Sequence, residues 1–137
     1  MTFAGINYLA VVVAAIASFG FSGLYYMSLA KPWTAALGKT MDDMRADRSR
    51  LPFIIAAIAD LVMAWMVAGV LGHLGGGQVT PLNGVISGAF LWFGFVLTTT
   101  LVNYGFQRAR PALIAIDTVH WLGVLAIQGL VIGAFGV

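Results

Sequence analysis

Four long apolar segments constrain the fold of this chain more than any other feature; they cover about residues 4–30, 52–74, 82–107 and 112–136. A helix needs about 20 mostly apolar residues to cross a bilayer, and each segment is long enough. A soluble domain is roughly half apolar and a quarter charged, whereas this chain is 61% apolar and 9% charged. The sequence therefore predicts one all-α domain, residues 1–137, built as an integral membrane bundle of four transmembrane helices.

The basic residues indicate how the bundle is oriented. Every Lys and Arg lies in the connection at residues 31–51 or in the tight connection before residue 112; they are Lys31, Lys39, Arg45, Arg48, Arg50, Arg108 and Arg110. Cytoplasmic loops of membrane proteins carry an excess of Lys and Arg. Both connections are thus predicted to be cytoplasmic, with the N-terminus and the C-terminus outside. The positive charge marks topology, so no nucleic-acid partner is expected.

The first connection has apolar residues at helical spacing, with charged residues between them. Trp33, Leu37, Met41 and Met44 are separated by four, four and three positions. This spacing is typical of a short helix that lies in the headgroup plane. The alternative is a disordered loop with Trp33 as an interface anchor, and Gly38 weakens the helix.

Two aspartates lie inside the apolar segments, where a charged side chain costs about 2.5–3.5 kcal/mol at the centre of a lone helix. Asp60 is ten residues past Arg50, and His120 is ten residues past Arg110. At 1.5 Å per residue, both are predicted about 15 Å from the cytoplasmic ends. Asp117 and Asn103 are predicted nearer the cytoplasm.

Polar residues share one face on each of the last two segments. At 100° per residue, the fourth segment groups Asp117, His120, Trp121 and Gln128, and the third forms a similar stripe. Lipid could satisfy none of these groups, so the two faces should meet in the bundle or in an oligomer contact. The predicted polar seam comprises Asp60, Thr99, Asn103, Asp117, His120, Trp121 and Gln128, and the third-segment stripe comprises Gly88, Trp92, Thr99 and Asn103.

Three interpretations of this seam remain open. The groups could be structural, with an Asp117–His120 pair and hydrogen bonds between helices. They could instead carry protons or a small polar ligand, since histidine titrates near neutrality. A metal site is a minor alternative, because His73 lies at the far end of the second segment. The chain has no cysteine and no catalytic motif, so neither enzyme activity nor a cofactor is expected.

Glycines at GxxxG spacing indicate close helix packing in the outer half of the bundle. Gly84 and Gly88 form one such pair, and Gly129 and Gly133 form another. Small residues at this spacing let helix backbones approach closely. Gly129, Gly133 and Gly136 lie on a face of the fourth segment beside the polar one, so one of these faces is expected to close the bundle while the other meets a second subunit. A bundle with two glycine faces has surface left to bury, which predicts a homo-oligomer.

Three stretches resemble a known family: GLYYMSLAKPW (23–33), NGVISGAFLWFGFVLTTTLVNYGF (83–106) and LIAIDTVHWLGVLAIQGLVIGAFG (113–136). They are similar to the bacterial membrane proteins grouped as domain of unknown function family 1761, over nearly the whole chain. The family pattern often has tryptophan where this chain has Tyr25. The resemblance implies a small multi-span membrane protein and no activity; the matching residues are Tyr25, Tyr26, Lys31, Trp33, Trp92, Gly94, Asp117, His120 and Trp121.

Two functional hypotheses follow, both for a multi-pass protein of the bacterial inner membrane. In the preferred one, the seam binds or transports a proton or a small solute. In the alternative, the chain is an accessory or scaffolding subunit that docks into a larger membrane complex through its GxxxG faces and interfacial tryptophans. The expected partners are the lipid bilayer, further copies of the chain and, in the second hypothesis, that complex.

Overall fold

The computed structural model describes residues 5–136, and these form helices and no strand. Four helices are long and apolar enough to cross a membrane, which confirms the predicted fold class. The first, second and fourth spans are each one helix, two short helices lie between the first two spans, and the third span is interrupted by a π-helical turn. The elements are α1 (Tyr8–Ser28), α2 (Ala30–Ala36), α3 (Met41–Ala46), α4 (Leu51–His73), α5 (Pro81–Leu91), the π-helical turn (Trp92–Leu97), α6 (Thr98–Phe106) and α7 (Pro111–Phe135).

Local sequence signals set where the spans begin. The side chain of Asn7 accepts a hydrogen bond from the Ala10 amide at the start of α1, and Thr80 does the same for Asn83 at the start of α5. α4, α5 and α7 each carry a proline in the first turn, where its missing N–H costs nothing. The spans therefore begin within a few residues of the predicted positions.

α7 is the central helix of the bundle, because it contacts α1, α4 and α5 and also α2. Its buried residues include Asp117, His120 and Gln128. Around it, α1 and α4 contribute mainly small side chains to the core, such as Ala14 and Ala64, each 0% exposed. Most of the buried polar side chains of the spans thus lie on the one helix that is surrounded by protein.

α5 and α7 cross in close contact through the predicted glycines. A methyl group on Gly84 would collide with the backbone of Gly129, and one on Gly129 with the backbone of Gly84. One on Gly88 would meet the backbone of Leu125, and one on Gly133 would meet that of Thr80. Both GxxxG faces therefore pack against partners within the chain. Neither glycine face is left over for a second subunit, contrary to the expectation from the sequence, and the homo-oligomer stays a prediction.

The connection between the first two spans contains two short helices in place of the single helix or disordered loop considered above. α2 ends before Gly38, whose φ of +73° allows the chain to turn sharply. α3 then begins with a capping box, in which Thr40 and Asp43 bond each other's backbone amides. The hydrogen bonds from Thr40 lower the pKa of Asp43 below its ordinary value.

α4 is displaced along the bundle axis relative to α7. The side-chain amide of Gln128 donates to the backbone carbonyl of Asp60, at 3.1 Å. Gln128 lies eight residues beyond His120 on α7, a rise of about 12 Å. The prediction that Asp60 and His120 share one depth is therefore wrong, because the two helices do not begin at the same level.

We expect Gly84→Ala to destabilise the protein by about 1–3 kcal/mol, because the added methyl group meets backbone atoms that cannot move aside. Thermal unfolding in detergent, followed by helical circular dichroism, measures the effect. Gly20→Ala on α1 is the matched control, since a methyl group there meets nothing within 4 Å. If Gly84→Ala is as stable as Gly20→Ala, the close α5–α7 contact is contradicted.

Candidate functional site

The carboxylate of Asp117 is the most densely hydrogen-bonded group of the bundle. Its Oδ1 accepts from the Tyr26 hydroxyl at 2.8 Å and from the Trp33 indole N–H at 3.1 Å. Its Oδ2 accepts from the Tyr104 hydroxyl at 2.7 Å. No cation contributes to this site within residues 5–136, since the ion pair found there joins Arg45 and Asp42. Three neutral donors thus hold one acid that is only 9% exposed.

Two further contacts hold α2 and the end of α1 against α7. The Tyr25 hydroxyl donates to the Ile116 carbonyl at 2.8 Å. The Arg110 guanidinium donates to the Ala35 carbonyl near the end of α2. Trp33 is therefore part of the Asp117 site rather than a simple interface anchor, and the site lies at the end of the bundle that carries the basic residues.

His120 lies one turn further along α7, is 4% exposed, and is bonded on one ring nitrogen. Its Nε2 is 2.7 Å from the Ser22 Oγ, and the Ser22 hydroxyl donates its one hydrogen to the Ser18 carbonyl at 3.0 Å. Ser22 must then accept from His120, so Nε2 carries the proton of the neutral ring. Nδ1 is left as a buried acceptor without a partner.

The predicted Asp117–His120 pair does not form. The described residues contain no hydrogen bond or ion pair between the two side chains. Tyr26 lies between them instead, with its hydroxyl on Asp117 and its ring centroid 4.7 Å from that of His120. Trp121 packs edge-on against His120 with centroids 4.8 Å apart. An aromatic enclosure therefore surrounds the imidazole.

Gln128 forms a second polar cluster, deeper in the bundle, with Ser18 and Asp60. Its Nε2 donates to the Ser18 Oγ at 3.0 Å and to the Asp60 carbonyl at 3.1 Å. Its Oε1 has no partner although the residue is 0% exposed. Sequence reasoning placed Asp60 and Gln128 in one seam, and the structure brings them together through the backbone of Asp60.

Asn103 and Thr99 do not join the seam, because both are exposed on α6. The π-helical turn holds one residue more than regular α-helix would, which rotates everything after it by about 100°. Tyr104 consequently occupies the direction predicted for Asn103. Trp92 precedes the rotation, stays on the predicted face, and donates to the Thr118 carbonyl at 2.7 Å.

Sequence reasoning did not place four side chains of the site in the seam: Ser18, Tyr26, Trp33 and Tyr104. Tyr26 and Trp33 belong to the family pattern quoted above, so that pattern was the available signal. No signal marked Tyr104, since a π-helical turn has no sequence signature comparable to a helix cap. Ser22 was not among the predicted seam residues, and its bond to the imidazole depends on the rotation of α1.

The polar groups lie where α1 and α4 meet α7. From here on, "the seam" denotes this set: Ser18, Ser22, Tyr26, Asp60, Asp117, His120 and Gln128. Among residues 5–136, no group of three or more His, Cys, Asp or Glu side chains converges to hold a metal ion. The seam therefore offers hydrogen-bond chemistry, with acceptors that are satisfied at Asp117 and unsatisfied at His120 and Gln128.

A family model described as Protein of unknown function (DUF1761) matches residues 9–133. The chain belongs to this family. The match spans every residue of the seam and confirms the resemblance found in the sequence. The comparisons with curated proteins and with solved structures found no match.

We expect Asp117→Asn to destabilise this DUF1761 protein by about 1–3 kcal/mol. The amide keeps one acceptor oxygen and places an NH2 group against a donor, so at least one of the hydroxyl and indole donors loses its partner. Thermal unfolding in detergent measures the loss. Asp42→Asn is the control, because it changes an exposed ion pair. Equal stability of the two variants would contradict the role of Asp117.

Deleting Phe95 should be tolerated, because the deletion converts the π-helical turn to regular α-helix and leaves Tyr104 facing Asp117. Phe95 is 70% exposed, so little packing is lost. The measurement is the stability lost on Tyr104→Phe, made once in the full-length chain and once in the deletion variant. If Tyr104→Phe lowers the stability of the full-length chain but not that of the deletion variant, Tyr104 has left the site and the prediction is contradicted.

Proposed function

We propose that this DUF1761 protein binds a proton or a small polar solute in the seam and carries it into or across the membrane. The observation that carries the proposal is the Nδ1 atom of His120, a buried basic nitrogen with no partner. A buried acceptor without a donor costs about 1–3 kcal/mol, so a donor-bearing ligand that reaches it is bound favourably.

Asp117 has a supporting role in this proposal. Its carboxylate already accepts three hydrogen bonds, which leaves it little capacity for a ligand. Its carboxyl group lies one helical turn from His120 on the same helix. Asp117 therefore positions the end of α1 and α2, and His120 takes up the proton.

The proposed orientation puts the Asp117 end of the seam at the cytoplasmic face of a bacterial inner membrane, with both termini outside. The support is the segregation of every Lys and Arg into residues 31–50 and 108–110. These two connections lie together, since Arg110 donates to the Ala35 carbonyl. A homo-oligomer stays a prediction, and no free glycine face supports it.

The accessory-subunit hypothesis loses the glycine faces, one of the two features on which it relied. Gly84, Gly88, Gly129 and Gly133 are the glycines through which docking was expected, and each packs against backbone within the chain. A partner would have to unpack α5 from α7 to use them. Binding in the seam is therefore the better-supported function.

Proton flux into liposomes that contain the purified protein and a pH-sensitive dye tests the proposal. We expect His120→Phe to reduce the flux by at least about tenfold, since a tenfold change corresponds to one lost hydrogen bond of ordinary strength. His73→Phe is the matched control, because His73 lies exposed at the last residue of α4 and outside the seam.

Ser22→Ala removes the hydroxyl that holds the imidazole and should give an intermediate flux. Equal flux in His120→Phe and wild type, with both folded, would refute a proton role for His120. If wild-type vesicles carry neither protons nor small polar solutes above empty vesicles, transport itself is refuted.

A further inference from the structure

A groove opens on the surface of the bundle beside the first turns of α4, and the offset of α4 along α7 explains where it lies. Asp60 of α4 meets Gln128 of α7. Leu51 begins α4 nine residues before Asp60, whereas Pro111 begins α7 seventeen residues before Gln128. α4 therefore begins eight residues, about 12 Å, further along the bundle axis than α7, which leaves a recess at its start.

The walls of the groove are apolar and come from α4 and α7. The groove has a volume of about 470 Å³, and ligand sites usually occupy about 300–1,000 Å³. Trp121 of α7 forms one wall, level with the first turn of α4. The side chains of Ala56 and Ala59 on the opposite wall are too short to fill the space. Ile55 lines the groove and is exposed, so the groove is open toward lipid.

The groove ends at polar residues of the loop before α4, called the polar lip from here on: Asp47, Arg48, Ser49 and Arg50. Asp47 and Ser49 line the groove, and the two arginines flank Ser49 in the chain. The Asp47 Oδ1 accepts from the Ser49 amide at 3.0 Å, which leaves Oδ2 as an acceptor. Within the described part of the chain, the one ion pair joins Arg45 and Asp42, so neither arginine of the lip is paired with an acid.

We infer that this groove binds one membrane lipid whose headgroup carries both a phosphate and a primary ammonium group, with phosphatidylethanolamine as the probe. The polar lip directly precedes a membrane-spanning helix, so it lies at the level of the headgroups. Guanidinium groups suit the lipid phosphate, and the Asp47 carboxylate suits the ammonium group. An acyl chain fills the apolar space between Ala56, Ala59 and Trp121.

The acid in the polar lip selects this headgroup over two others. Phosphatidylglycerol carries a phosphate and no cation, so it would bring negative charge toward Asp47 with nothing to offset it. Phosphatidylcholine carries a cation that has no N–H group, so it cannot donate a hydrogen bond to the Asp47 carboxylate. Phosphatidylethanolamine supplies a phosphate for the arginines and a charged donor for the acid, and it therefore matches both signs of charge in the lip.

The inference goes beyond the proposed function, because the groove is separate from the seam. Trp121 lies between them: it lines the groove and packs edge-on against His120. A lipid in the groove therefore covers the Trp121 side of the aromatic enclosure. Lipid binding is measured in detergent, where no flux occurs, so each of the two proposals can fail by itself.

The test is native mass spectrometry of the delipidated protein in detergent. The protein is titrated separately with phosphatidylethanolamine, phosphatidylcholine and phosphatidylglycerol of identical acyl chains. We expect one saturable adduct, formed at about tenfold lower concentration of phosphatidylethanolamine than of the other two lipids, since one charge-assisted hydrogen bond distinguishes them. Equal binding of all three lipids, tighter binding of phosphatidylglycerol, or no saturable adduct would overturn the inference.

Variants of the polar lip test the headgroup assignment. Asp47→Asn keeps an acceptor for the Ser49 amide and loses the charge, so it should remove most of the preference for phosphatidylethanolamine over phosphatidylcholine. The double variant Arg48→Gln/Arg50→Gln should weaken binding of both lipids about tenfold, since both carry the phosphate. Asp42→Asn, an exposed acid outside the lip, is the matched control and should keep the preference. An undiminished preference in Asp47→Asn would refute the assignment.

Two neighbouring alanines of α4 test the groove itself. Ala56 lines it, so Ala56→Leu occupies the space of the acyl chain and should weaken binding of every lipid. Ala57 is exposed and lies outside the lining, so Ala57→Leu should bind lipid as the wild type does. Equal lipid affinities of these two variants would place the lipid elsewhere and overturn the inference. Should Ala56→Leu fail to fold, the variants of the polar lip, an exposed loop, still decide the outcome.

Discussion

The buried carboxylate of Asp117 accepts three hydrogen bonds and thereby holds together the end of the bundle that carries the basic residues. The donors come from α1, α2 and α6, so one side chain of α7 holds three elements that are distant in sequence. Each hydrogen bond to a charged group is worth about 1.5–3 kcal/mol. In lipid the donors would have no alternative partner, and this makes the arrangement of the three elements around α7 cooperative.

At the other end of the bundle, close backbone contact holds the helices together. Gly84 against Gly129 and Gly88 against Leu125 bring α5 within van der Waals contact of α7. In a bilayer, helices associate through such packing and through polar contacts, because burying apolar surface from lipid gains little. α7 is therefore enclosed by close packing at one end and by hydrogen bonds at the other, and the seam lies between these two regions.

The seam changes in character along its length. At Asp117 every acceptor is satisfied, which makes that end rigid. At His120 and Gln128, one acceptor on each side chain is buried without a partner. Native structures contain few such atoms, and in a membrane interior each marks a place where a proton, an ion or a small solute gains a partner. The unsatisfied acceptors are thus concentrated in the part of the seam that Asp117 does not hold.

The sequence alone determined the class of this protein, its four spans, the grouping of its basic residues and the importance of Asp117, His120 and Gln128. These properties depend on local composition and on the period of a single helix. The tertiary structure decided which groups meet. Tyr104 faces Asp117 in the position predicted for Asn103, because a π-helical turn rotates α6 relative to α5. The tertiary structure also put Asp60 beside Gln128 and not beside His120, because the offset of α4 along α7 is set by packing between helices, which no single segment encodes.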